Sequence, residues 1–250
     1  MTTKFTHNDI LILGDSFAAS RNEPEDWPNR LTQLLTGSDF LQDREIRGCG
    51  FSGAGWWSVR KRLLEELKIQ IPKVLIVCHT EEIRLPSDYD LALNATGAEL
   101  HTNAVPRIHV TPTFPEYLSI DDIAHAAKLF YKYICCYDYQ IWANIQWFKE
   151  LDEIIEKHAI PFVIHLHCFP REFHTINTNY VNHKNYLFKT GMTSTPSLYE
   201  ISALSFGEAM FKDGFIRNHF NKVQNIQLAN EVYNAITNNY SNGAILNLKG

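Results

Sequence analysis

The run Ile10-Leu11-Ile12-Leu13 is apolar at four successive positions and is stopped at once by Gly14-Asp15-Ser16-Phe17. A strand with one face in water alternates apolar and polar residues, whereas a strand buried on both faces does not. This run therefore reads as a buried strand of an α/β sheet that delivers Ser16 to a turn at its carboxyl end. Open α/β sheets keep their sites at that edge. A serine there can act as the nucleophile of acyl transfer, provided a histidine reaches its hydroxyl and backbone N–H groups await the oxyanion.

Other segments supply the remaining layers. Val74-Leu75-Ile76-Val77-Cys78 is apolar throughout, and Phe162-Val163-Ile164-His165-Leu166-His167 is a further strand. A short strand is expected near residues 44–47 and a last one near 198–204. Helical spacing marks Leu31, Leu34 and Leu35 with Pro28 in the first turn, and a helix from Trp56 through Leu67. It also marks helices over about 120–133 and 138–158, and one carrying Val223, Ile226, Leu228, Val232 and Ile236. The chain reads as a single domain over residues 1–250, a three-layer α/β/α sandwich with a parallel sheet of about five strands in flavodoxin-like order. Residues 86–119 hold four prolines among Asn, Thr and His, and form a loop-rich insertion, either a lid or a disordered stretch.

Composition narrows the function. A chain of 250 residues with 45% hydrophobic and 20% charged side chains can bury one sizeable core. A net charge of −5 gives no basic field for collecting nucleic acid or anionic lipid, so neither is expected as a partner. Five cysteines, an odd number without metal or disulfide spacing, suit a reducing compartment. The amino terminus has no apolar leader, and a cytoplasmic location is expected.

Several residues around Ser16 carry candidate chemistry. Gly48-Cys49-Gly50-Phe51-Ser52-Gly53-Ala54-Gly55 opens a helix, so it is either a set of N–H donors reinforced by the helix dipole or an ordinary tight connection. Trp27 is either a substrate wall or the anchor of its helix. The third strand runs into His79-Thr80-Glu81-Glu82-Ile83-Arg84, where a solvated ion pair between Arg84 and a neighbouring glutamate is the plain expectation. His165 and His167 share a strand face at zinc-chelating spacing, but no second cluster completes a metal set. No metal or other cofactor is expected. His219 stands at a loop-to-helix junction after Asp213, as an oriented general base would, and as a helix cap would.

Together these pieces resemble the SGNH hydrolases, or GDSL esterase/lipase family. The resemblance rests on Gly14-Asp15-Ser16, Gly50-Phe51-Ser52-Gly53, His79-Thr80-Glu81-Glu82 and the stretch from Asp213 to His219. It implies Ser16 as nucleophile and oxyanion donor, Gly53 as a second donor, His219 as base and Asp213 as the acid that orients it. Two departures accompany it. Glu81 stands where the family has a neutral asparagine donor, and Asp213 lies six residues before His219, with Ile216 at the family's spacing of three.

The expected activity is hydrolysis of an ester through an acyl-enzyme on Ser16. Short acyl groups on a polar carrier such as a carbohydrate suit the polar loops, and Glu81 and Trp27 are the expected substrate contacts. The competing expectation is an SGNH-like scaffold that has lost hydrolysis and binds a glycan or another ligand.

Overall fold

The computed structural model describes residues 5–15, 17–19, 24–37, 47–50, 54–79, 84, 93–94, 107–108, 119–167, 186–189, 220 and 222–242. After a 3-10 turn, His7–Asp9, the strands are β1 (Ile10–Gly14), β2 (Gly48–Gly50), β3 (Val74–His79), β4 (Leu93–Asn94), β5 (Arg107–Ile108), β6 (Phe162–His167) and β7 (Tyr186–Lys189). The helices are α1 (Trp27–Thr36), α2 (Trp56–Ile69), α3 (Ile120–Tyr133), α4 (Tyr137–Lys157) and α5 (Lys222–Asn242).

The fold is α/β around a parallel sheet. At its centre β3 lies between β1 and β6, with Ile10 opposite Val74 and Val74 opposite Phe162. All residues of β1 and β3 are buried. The alternation of side chains along a strand then splits the apolar run into two cores. Leu11, Leu13, Leu75, Val77 and Val163 meet Val59, Leu63 and Leu67 of α2 and Trp147, Leu151 and Ile155 of α4. Ile10, Ile12, Val74, Ile76, Ile164 and Leu166 meet Leu31 and Leu35 of α1 and Leu228, Val232 and Ile236 of α5. Each fully buried aliphatic side chain contributes roughly 1.5–3 kcal/mol, so an uninterrupted apolar strand is fixed from both sides.

The outer strands differ from the sequence expectation. β2 pairs in parallel with β1, Gly48 opposite Ile12, and starts after the basic residues where the strand is expected. Close approach is the reason. Gly48 has φ of 91°, and a Cβ there would lie 2.2 Å from the carbonyl oxygen of Ile12; one at Gly50 would lie 2.0 Å from that of Asp15. Side chains would push the two backbones apart, so the glycines read as a loop are used as strand. β7 pairs in parallel with β6, Val163 opposite Tyr186 and Ile164 opposite Phe188, where the sequence reading places no strand. The expected strand near 198–204 lies outside the described residues. Within the loop-rich insertion, β4 and β5 form an antiparallel pair, Leu93 opposite Ile108.

Arg47 locks β2 to the sheet's helical cover. Its Nε donates to Glu66 Oε2 at 3.0 Å, Nη1 to the Asn8 carbonyl at 2.9 Å, and Nη2 to the carbonyls of Glu66 and Gln70 at the end of α2. A cation on the last carbonyls of a helix complements the negative end of its dipole.

Among the described residues, no helix is long and apolar enough to cross a membrane.

Candidate active site

The carboxyl end of β1 is a web of buried polar contacts. Asp15 is fully buried, and its Oδ1 accepts from the Phe17 N–H at 2.9 Å. Its carbonyl accepts from the Ala18 N–H at 3.0 Å, and the Ala18 carbonyl accepts from the Gly50 N–H at 3.1 Å. The turn leaving β1 is therefore tied both to itself and to β2.

Arg84 closes the web from the other side. Its Nη1 donates to Asp15 Oδ2 at 2.9 Å and to the Ala54 carbonyl at 2.9 Å, and the residue is 3% exposed. A solvated pair with a neighbouring glutamate is the sequence expectation for Arg84, and its burial against Asp15 corrects it. Burying an ion pair demands close geometry and further hydrogen bonds, and here both charges have them. One guanidinium so joins the end of β1, the segment before α2 and the segment after β3.

Trp27 resolves in favour of the helix anchor. It is 1% exposed, within the core shared by α1 and α5. Its indole Nε1 donates to the Phe17 carbonyl at 2.5 Å, and its backbone N–H donates to Asn225 Oδ1 at 3.1 Å. A wall open to substrate is not what this burial provides.

The start of α5 is brought to the same place. Phe220 sets its ring edge-on to Phe17, with centroids 5.4 Å apart. Asn225 donates through Nδ2 to the Phe220 carbonyl at 3.4 Å, and Lys222 pairs with Glu25 just before α1. The hydrogen bond from Lys222 holds the Glu25 carboxyl below its usual range.

His79 ends β3 inside the core. It is 2% exposed, its ring 4.5 Å from that of Phe148 and 5.7 Å from that of His165, itself fully buried. Phe148 of α4 thus covers two histidines from adjacent strands, and a core role replaces the chelating one considered for His165. Among the described residues no group of three or more potential ligands could hold a metal ion.

Ser16, Gly53, Glu81, Asp213 and His219 lie outside the described residues. What is described is the set of side chains next to them: Asp15 and Phe17 beside Ser16, Ala54 beside Gly53, and Phe220 beside His219. The residues that sequence reasoning missed are Arg84 as Asp15's partner and the pair Phe17 and Phe220. Arg84 follows a strand by a short polar turn, which is a signal for position but not for a partner 69 residues away.

No family model matches the chain, and no curated protein does. Among solved structures the chain is similar to a GDSL-like lipase from Parabacteroides merdae, at 14% identity over 91% of this chain and 94% of that one, with a TM-score of 0.44. It is also similar to an acetyl xylan esterase, at 11% identity over 91% of this chain and 99% of that one, with a TM-score of 0.42. Likeness this distant says nothing about which residues react.

Proposed function

We propose that this chain is a serine esterase of the SGNH kind, with Ser16 as nucleophile, His219 as general base and Asp213 as the acid that orients it. The observation that carries the reading is the contact of Phe17 with Phe220 at 5.4 Å, since these two are the covalent neighbours of Ser16 and His219. The bonds from Asp15 to Phe17 N and Arg84 support it, because a nucleophile gains from a turn held rigidly by buried partners.

In the proposed reaction His219 takes the hydroxyl proton as Ser16 Oγ attacks the ester carbonyl. The oxyanion is met by the backbone N–H groups of Ser16 and Gly53, and the alcohol leaves with the proton from His219. Water, deprotonated by the same histidine, then attacks the acyl-enzyme, releasing the carboxylic acid and restoring Ser16. No cofactor takes part.

The finer fold belongs to this proposal: a single domain of three layers whose sheet follows the flavodoxin-like order, supported by the observed order β2-β1-β3-β6-β7. So do a substrate with a short acyl group on a polar carrier, a cytoplasmic location, and the lack of nucleic-acid or membrane partners.

Glu81 favours a second reading, a scaffold that binds a glycan without hydrolysing it, because an ionised carboxylate at the oxyanion site would oppose the developing charge. A fluorophosphonate probe separates the two. Covalent labelling that maps to Ser16 and vanishes in Ser16→Ala supports the esterase; a folded protein that takes no label overturns it.

A further inference from the structure

A cleft of about 310 Å³ opens between α2 and α4 and belongs to no part of the site above. Trp57, Tyr139 and Trp142 form its rim and are 37%, 58% and 55% exposed. Tyr139 and Trp142 lie nearly parallel, with centroids 5.9 Å apart and planes 29° from each other. Arg60 and Glu150 bridge the two helices through paired hydrogen bonds of 2.6 and 2.5 Å, and the Arg60 guanidinium stands 4.9 Å from the ring centroid of Trp57. The hydrogen bonds that Arg60 donates to Glu150 raise the Arg60 pKa above its ordinary value.

Three large aromatic side chains left in water at the mouth of one cleft need a reason, since their burial elsewhere would be favourable. Charge decides what they suit. A quaternary ammonium would meet aromatic faces but also the Arg60 cation already seated on Trp57. An anion, or a nucleic acid strand stacking its bases, would meet Glu150 and a chain of net charge −5. A neutral ligand meets no such opposition. A pyranose ring lays weakly positive C–H groups on the negative face of an aromatic ring, and its hydroxyls can both accept from Arg60 and donate to Glu150.

The position fits a carrier for the proposed acyl group. Phe148 of α4 lies on His79, the last residue of β3, so the earlier residues Tyr139 and Trp142 stand towards the carboxyl edge of the sheet. Gly55, the cap of α2, packs on Arg84: a Cβ there would be 3.3 Å from that of Arg84, the partner of Asp15.

We infer that the cleft between α2 and α4 is a binding site for a neutral glycan chain, stacked on Trp142, Tyr139 and Trp57 and hydrogen-bonded by the Arg60–Glu150 pair. As an account of which carrier the esterase acts on, this rests on the reading of Ser16; as a binding site it does not.

Titration calorimetry of the whole chain with xylohexaose and cellohexaose tests it, alongside choline and adenosine monophosphate. At least one hexaose should bind, and Trp142→Ala and Tyr139→Ala should each weaken it about tenfold or more, tenfold being about 1.4 kcal/mol. Both side chains are mostly in solvent, so circular dichroism should show both variants folded. No binding of either hexaose, binding that neither substitution alters, or tighter binding of choline or the nucleotide overturns the inference. Hexaose binding without fluorophosphonate labelling would keep the cleft and remove the esterase; labelling without hexaose binding would do the reverse.

Discussion

Arg84 Nη1 and Asp15 Oδ2 meet at 2.9 Å, with the side chains 4% and 0% exposed. They stand 69 residues apart in the chain. Because Arg84 also holds the Ala54 carbonyl, three segments that the sequence analysis treats separately share one buried charge pair. Breaking such a pair from one side leaves the other charge buried and uncompensated, at a cost of about 3–5 kcal/mol. Arg84→Met should lower the free energy of unfolding in urea by about that amount, and Asp15→Leu should do likewise. The double substitution should recover part of the loss. Additive losses in the double variant would mean that the two residues act separately.

Substitution of Ser16 by alanine should abolish turnover of short-chain aryl esters, a fall of about 10⁴-fold or more, while urea unfolding stays unchanged. Equal rates for wild type and variant would move the chemistry elsewhere.

At Glu81 the expectation runs against the usual direction for an active-site substitution. If the N–H groups of Ser16 and Gly53 stabilise the oxyanion alone, the missing third donor costs about 10²–10³ in rate. Glu81→Asn should therefore preserve or raise aryl-ester turnover. A large fall, with the protein still folded, would assign Glu81 a positive part in catalysis or binding.

Asp9 makes stability depend on pH. Burial opposes its charge, but hydrogen bonds from the Thr6 N–H at 2.8 Å and Thr6 Oγ1 at 2.9 Å, together with Lys73, outweigh burial and lower its pKa when folded. A carboxyl with a lowered folded pKa contributes stability that is complete above its unfolded pKa, about 4, and is lost as pH falls through the folded value. The gap in unfolding free energy between wild type and Asp9→Asn should thus be wide at pH 7 and shrink as the pH falls below about 4. A gap that stays constant with pH would show that the charge of Asp9 contributes nothing.

The elements whose signal is local were legible in the sequence. Four apolar positions from Ile10 to Leu13 dictate a strand covered twice, and the helical spacing of Leu31 and Leu35, of Val59, Leu63 and Leu67, and of Leu228, Val232 and Ile236 supplies the covers. Period and length suffice for this, since each residue answers only to its own neighbours in the chain. Gly14-Asp15-Ser16 could likewise be placed at a strand end, because the strand and its stop are adjacent.

What only the tertiary structure decided is which distant groups meet. No local rule says that Arg84 reaches Asp15, that Phe220 turns its ring on Phe17, or that Trp27 gives its indole N–H to the core and not to a cleft. Nor does a local rule gather Trp57 with Tyr139 and Trp142, whose helices have β3, the β4–β5 pair and α3 between them in the chain. The same holds for β2, where glycine serves the close approach of another backbone, a demand that exists only once β1 lies beside it. Sequence fixes the period of each element because that energy is local; partners are chosen by burial, which is a property of the assembled whole.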